Sequence, residues 1–129
     1  MGVFNYIRRW YTLYMTLADK TPDYITLNLY DKKDDYFFGY IDIIVYPDCY
    51  VISGRVNKFE IDADIELLLT RKRKLGEIFD TVKAQFLNGE IGLPLDRKVF
   101  IMSDELISRD YIESRKLKRV PRYCGYYFI

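Results

Sequence analysis

Four carboxylates stand at every second position of the segment Phe59–Glu66, which reads FEIDADIE: Glu60, Asp62, Asp64 and Glu66. Carboxylate oxygens are the ligands that Mg²⁺ and Ca²⁺ prefer, so this spacing raises the possibility of metal binding. On one strand, however, neighbouring carboxylates would lie roughly 7 Å apart, too far to share an ion without further ligands. We favour a solvated strand face, or a helix start where acids stabilise the helix dipole. We therefore expect no metal site.

A second acidic pattern pairs Pro47-Asp48 with Asp96-Arg97-Lys98. Restriction-type nucleases use such a combination to gather carboxylates and a lysine around Mg²⁺. Here the two parts are far apart in the chain, a predicted helix lies between them, and Pro47-Asp48 is typical of a plain turn. A carboxylate metal-dependent nuclease is accordingly the third of the functions that we consider.

Other catalytic chemistries are disfavoured by what the chain lacks. The sequence contains no histidine, the usual base for a serine or cysteine nucleophile and the usual zinc ligand alongside thiolates. Its glycines are scattered, and no GxxxxGK[ST] phosphate loop occurs. The sequence therefore predicts no cofactor, and it favours a protein that is not an enzyme.

Basic residues accumulate in the second half of the chain, although the formal net charge is only +1. Basic side chains beside aromatic ones can bind a phosphate backbone and stack bases, which makes nucleic acid a candidate partner. The alternative is that these bases are the solvated ends of two helices. The candidate nucleic-acid-binding residues are Arg71, Arg73, Lys116, Lys118 and Arg119.

Tyrosines cluster near predicted strand ends in the first half of the chain. Tyrosine offers a large rigid surface with a polar tip and is enriched where proteins meet proteins. These tyrosines could equally complete a small core. The candidate protein-binding residues are Tyr30, Tyr40, Tyr46 and Tyr50.

Alternating apolar and polar residues predict four strands in the first half of the chain. Short polar turns between them indicate an antiparallel meander, and Phe4, Ile7, Tyr11 and Tyr14 allow a short helix within the first ten residues. The predicted strands are 11–17, 24–30, 36–46 and 49–56.

Two helices are predicted in the second half. The first carries an apolar stripe and ends at Asn88-Gly89. After a strand at Lys98–Met102, Ser103 is the predicted cap of a second helix that has acids in its first turn and bases in its last. The tail RYCGYYFI is predicted to form a closing strand. The stripe comprises Leu68, Leu75, Phe79, Val82 and Phe86.

The predicted fold is therefore a single α+β domain spanning residues 1–129, with a four- or five-stranded antiparallel sheet (meander) packed against two helices. With 129 residues, half of them hydrophobic, the chain is long enough for one core. Cys49 and Cys124 are too few for a disulfide framework and are expected to be free buried thiols.

A cytoplasmic location without membrane contact is predicted. The paired arginines near the start lack a cleavage site after them, and the longest apolar stretch, YFFGYIDIIVY, is about half the length that a bilayer requires. Many tyrosines and phenylalanines with no histidine are typical of AT-rich genomes such as those of phages.

The leading functional hypothesis is a small non-enzymatic binding protein that acts through protein–protein contacts or self-association, encoded by a phage or mobile element as a modulator of a host factor. A nucleic-acid-binding protein that uses the basic C-terminal half is the alternative.

Overall fold

The computed structural model describes residues 13–31, 36–56, 65–104, 106–121 and 125–129. These residues form an α+β structure with a large sheet and two helices. The predicted short helix in the first ten residues lies outside the described part of the chain. The elements are β1 (Leu13–Lys20), β2 (Tyr24–Asp31), β3 (Tyr36–Val45), β4 (Cys49–Val56), α1 (Ile65–Leu87), β5 (Lys98–Met102), α2 (Arg109–Ser114), β6 (Arg119–Val120) and β7 (Gly125–Tyr127).

The sheet has seven strands in the order β1-β2-β3-β4-β5-β7-β6. The antiparallel meander is confirmed for β1 to β4, but the predicted sheet of four or five strands is too small. The prediction of a purely antiparallel sheet is also wrong, because β5 lies parallel to β4. Parallel neighbours need a long crossover, and α1 lies in the connection between them. The tail adds β7 against β5, and β6 pairs with β7.

One face of the sheet packs against both helices. Alternation places every second side chain of a strand on this face, and the apolar residues of the central strands occupy it. The main core consists of residues from β2 to β5, both helices, the segment after β5 and the tail. Its members include Ile25, Leu29, Ile41, Ile43, Tyr50, Ile52, Phe79, Val82, Phe86, Val99, Ile101, Leu106, Ile107, Tyr111 and Phe128.

Helix α1 ends where the sequence predicts. Phe79, Val82 and Phe86 from the predicted stripe are all buried against the sheet. Gly89 follows the helix with φ of 83°, the left-handed conformation that glycine adopts without steric cost. Leu68 and Leu75 belong to the same helix, but the structure describes their backbone alone.

Helix α2 is shorter than predicted and begins later. Its N-cap is Ser108, whose hydroxyl accepts the N–H of Tyr111, and not Ser103. The helix has six residues and ends at Ser114, so the basic residues after it lie beyond the last turn. Asp104 precedes the helix and has other partners, described below.

The second face of the sheet carries a smaller apolar cluster. It contains Cys49, Val51, Phe100 and Val120, with Ile44, Tyr46 and Met102 packed around them. Cys49 is buried, as predicted, and forms no disulfide within the described part of the chain, whereas Cys124 lies outside it. Among the helices that the structure describes, none is long and apolar enough to cross a membrane.

Candidate functional site

The parallel ladder between β4 and β5 ends before β4 does, because β5 ends at Met102. The ladder runs from Cys49 opposite Lys98 to Ile52 opposite Ile101, and β4 then continues to Val56 without a partner on β5. Ligands of α/β sheets commonly bind outside the carboxyl ends of parallel strands, because the connections that leave these ends diverge there. The carboxyl end of the β4–β5 ladder is therefore a candidate ligand-binding site.

Asp104 joins the segment after β5 to β4. Its Oδ2 accepts the backbone N–H of Gly54 at 2.7 Å, while Oδ1 accepts the N–H groups of Leu106 and Ile107 at 3.0 and 2.9 Å. The Gly54 N–H thus points towards β5 but donates to a side chain instead of a strand. Hydrogen bonds to a charged acceptor are stronger than neutral ones, so this carboxylate orders the end of the ladder.

Gly39 on β3 and Gly54 on β4 leave a hollow on the helix-facing side of the sheet, and Leu106 fills it. A Cβ added at Gly54 would lie 2.7 Å from Cβ of Leu106, and one added at Gly39 would lie 3.1 Å from its Cδ1. Leu106 is only 3% exposed. The segment after β5 therefore needs a glycine at Gly54 in order to pack as it does, whereas a Cβ at Gly39 would first clash with the backbone carbonyl of Arg55 on β4.

On the opposite face, an ion pair crosses the same end of the sheet. Arg55 binds Asp42 through two hydrogen bonds of 2.6 and 3.0 Å, and Thr26 donates to Asp42 at 2.8 Å. The guanidinium also lies 4.5 Å from the ring centre of Tyr40. The hydrogen bond to Asp42 raises the pKa of Arg55 above its usual value. These contacts join β2, β3 and β4 and hold their register.

The two parts of the predicted nuclease pattern do meet, at the amino ends of β4 and β5. Pro47, Asp48, Asp96, Arg97 and Lys98 line a shallow depression of about 620 Å³. Among the described residues, no group of three or more acidic, histidine or cysteine side chains could hold a metal. The turn at Pro47-Asp48 is the predicted one, with the Tyr46 N–H donating to the Cys49 carbonyl at 2.9 Å.

Arg97 dominates this depression through structural contacts. Its guanidinium binds Asp96, donates to the Tyr46 carbonyl at 2.7 Å, and lies 4.9 Å from the ring centre of Tyr50. The hydrogen bond from Arg97 holds the pKa of Asp96 below its usual value. Arg97 and Asp96 therefore form an ion pair with each other, and Arg97 also links the segment before β5 to the turn before β4.

Three of the four candidate protein-binding tyrosines share one face of the sheet, and the fourth faces the helices. Tyr50 is 1% exposed, packs on Phe86 and donates its hydroxyl to the Pro94 carbonyl at 2.6 Å. Its assignment as a binding residue is therefore corrected, because it belongs to the core. Tyr30, Tyr40 and Tyr46 are half-buried on the other face of the sheet.

The candidate nucleic-acid-binding residues are spread over two elements. Lys116 and Lys118 are exposed between the end of α2 and the edge strand β6, and Arg119 is exposed on β6 itself. Charged side chains on an edge strand also discourage unwanted strand pairing. Arg71 and Arg73 belong to the first part of α1, and only the backbone of these two residues is described.

The acidic segment Phe59–Glu66 connects β4 to α1. Glu60, Asp62 and Asp64 lie outside the described residues, and Glu66 is the second residue of α1. The helix start that the sequence allows is confirmed at Ile65.

Sequence reasoning missed Asp104, Gly54 and Gly39. It assigned Asp104 to the first turn of a helix, although Ser108 offers an equally good cap four residues later. An aspartate two and three residues before Leu106 and Ile107 is a usable signal of a tight turn, because its side chain readily accepts nearby backbone N–H groups.

Comparison with known proteins gives one distant likeness. No family model matches the chain, and no curated protein matches it in sequence. A solved structure from Sphaerobacter thermophilus, described as a "putative acetyltransferase", is similar with a TM-score of 0.49 and 12% identity, over 91% of this chain and 73% of that one. That description is of an enzyme, unlike the non-enzymatic binding protein that the sequence predicts, and we do not propose the predicted role again. A similarity this distant carries no argument about the chemistry of this chain.

Proposed function

We propose that the protein is an acyl-transfer enzyme whose acyl donor binds along the carboxyl-terminal part of β4, beyond the end of its ladder with β5. The observation that carries the proposal is the Gly54 N–H, which donates to the Asp104 carboxylate at the point where the parallel ladder ends. This amide takes an oxygen acceptor from outside the sheet, and the carbonyl oxygen of a bound ester or thioester is an acceptor of the same kind.

The donor would bind as an added strand. Backbone groups alternate along a strand, so Gly54 and Val56 present theirs to the β5 side, as Ile52 does within the ladder. An extended ligand that carries amide groups can hydrogen-bond to such an edge, which is a common way of recognising peptide-like chains. Thioester carriers with an amide-containing arm have this chemistry.

Acyl transfer also suits a chain without histidine. The amine nitrogen attacks the thioester carbonyl carbon, the carbon–sulfur bond breaks, and the proton lost by the amine ends on the departing thiol. This reaction depends on close placement of the two reactants and on a donor that stabilises the developing oxyanion. A backbone N–H held at a fixed position, as at Gly54, supplies such a donor.

The test is a titration of isotope-labelled protein with S-acetyl-pantetheine and with acetyl-coenzyme A, followed through backbone amide resonances. We expect the Gly54 and Val56 amides to shift, and amides of β1 at the far edge to stay unchanged. The two ligands share the amide-bearing arm, so the comparison separates recognition of the arm from recognition of the nucleotide. If neither ligand moves the Gly54 resonance at millimolar concentration, the proposed site is wrong.

Turnover provides the second readout. Release of free thiol from either thioester, in the presence of a panel of primary amines, should exceed the rate without protein. Binding without thiol release for any amine would support a ligand-binding role and contradict the enzyme.

A further inference from the structure

We infer that Asp104 and Leu106 form an internal plug that occupies the acyl-donor site and must move before the ligand binds. The inference rests on the proposed function, since it concerns the same end of β4. It makes the described structure a closed state of the site, with the chain's own side chains in the place of the ligand.

Asp104 occupies the polar part of the site. Its Oδ2 holds the Gly54 N–H, the group that a ligand carbonyl would need. The same carboxylate satisfies two further N–H groups within its own turn through Oδ1. Three N–H donors therefore share two oxygens of one side chain, and among the described residues the bond to Gly54 is the hydrogen bond that joins the Asp104 side chain to the sheet.

Leu106 occupies the apolar part. It fits the hollow above Gly39 and Gly54, where neither strand has a side chain. A hollow of this kind, next to the Gly54 N–H, is also the shape that would accept the small apolar end of an acyl group once Asp104 and Leu106 have moved. Leu106 and Asp104 together thus cover both the hydrogen-bonding and the apolar features of the site.

The segment that carries the plug is braced within itself. Asp104 N–H donates to the Ile107 carbonyl at 3.1 Å, and the Ser103 hydroxyl donates to the same carbonyl at 3.3 Å. Ile107 is fully buried in the main core. Movement of Asp104 and Leu106 can therefore pivot on Ile107 without unfolding the strands.

The first experiment needs no ligand and measures hydrogen exchange of the Gly54 and Ile52 amides. If the plug opens locally, Gly54 should exchange at least about tenfold faster than Ile52, and its rate should change little at low denaturant concentration. If both amides exchange at the same rate and respond equally to denaturant, the plug opens only with global unfolding, and the inference is wrong.

The second experiment compares Asp104→Asn with Asp110→Asn. Asparagine has one acceptor oxygen and cannot serve Gly54 and the turn together, so the plug should open more often. Apparent affinity scales with the fraction of open molecules, and we expect S-acetyl-pantetheine to bind Asp104→Asn about threefold to tenfold more tightly than the unaltered protein. The control removes an exposed carboxylate from the first turn of α2 and should leave affinity unchanged.

The possible failures are distinguishable. If the thioester binds the unaltered protein and Asp104→Asn equally, the plug is a permanent structural clip and the inference is overturned. If it binds none of the variants, the proposed function fails, and the exchange rates of Gly54 and Ile52 still decide whether the plug opens.

Discussion

Phe79 is fully buried between the sheet and α2, with its ring centre 5.4 Å from that of Tyr111. Truncation to alanine removes most of a buried ring and leaves a cavity that the surrounding residues fill only in part. We expect Phe79→Ala to cost about 3–5 kcal/mol of unfolding free energy in urea titration. Leu87→Ala is the control, because Leu87 is 57% exposed and its truncation should change stability by less than about 0.5 kcal/mol. A loss below about 1 kcal/mol in Phe79→Ala would contradict the packing described here.

Asp80 links α1 to α2 and gives stability a dependence on pH. Its carboxylate accepts the Tyr111 hydroxyl at 3.0 Å and Nε of Arg115 at 3.2 Å. The hydrogen bond from Arg115 holds the pKa of Asp80 below its usual value. The depressed pKa means that the stabilisation is present above the unfolded-state pKa, near 4, and is lost as the pH falls through the lower folded-state value.

We expect Asp80→Asn to reduce the loss of unfolding free energy that occurs as the pH falls into the acid range. The effect should stay below about 1 kcal/mol, because the side chains of both Asp80 and Arg115 are more than a third exposed and solvent screens the pair. The measurement is the urea midpoint at several pH values between neutral and strongly acidic conditions. If the urea midpoint of the variant falls with acid as steeply as that of the unaltered protein, other carboxylates cause the loss of stability.

Single residues also show which contacts cannot be predicted from the sequence. Tyr50 and Tyr40 lie on strands with similar patterns, yet only Tyr50 faces the helices and is buried. The bond between Asp104 and Gly54 joins residues 50 positions apart. No local pattern reveals such a contact, because it depends on β5 lying beside β4.

At the level of elements, local sequence patterns predicted where strands and helices begin and end better than which strands pair. The strands Cys49–Val56 and Lys98–Met102 and the end of α1 have the predicted bounds, because alternation and the glycine stop are local signals. The parallel pairing of β4 with β5 was not predicted, because the same alternation suits either direction. The short strands β6 and β7 depend on pairing more than on their own sequence, since they have two and three residues.

The start of α2 offers a direct test at this scale. Ser108 accepts the Tyr111 N–H at 3.2 Å, whereas Ser103 donates to a carbonyl and caps no helix. We expect Ser108→Ala to cost about 1 kcal/mol and Ser103→Ala to cost less, as measured by urea unfolding. A larger loss for Ser103→Ala would restore the longer helix that the sequence suggests.

For the whole molecule, the main core predicts cooperative unfolding. Its buried side chains come from the central strands, both helices and the tail, so each element buries part of the others. Loss of one element would expose apolar surface on the rest.

We therefore expect far-ultraviolet circular dichroism, which follows the backbone, and tyrosine fluorescence, which follows packing, to give the same urea midpoint. Phe79→Ala should lower both midpoints equally, because it acts on the shared core. Two separate transitions, or a midpoint that shifts for one probe alone, would show that the β1–β4 meander and the α1–β5–α2 half unfold independently.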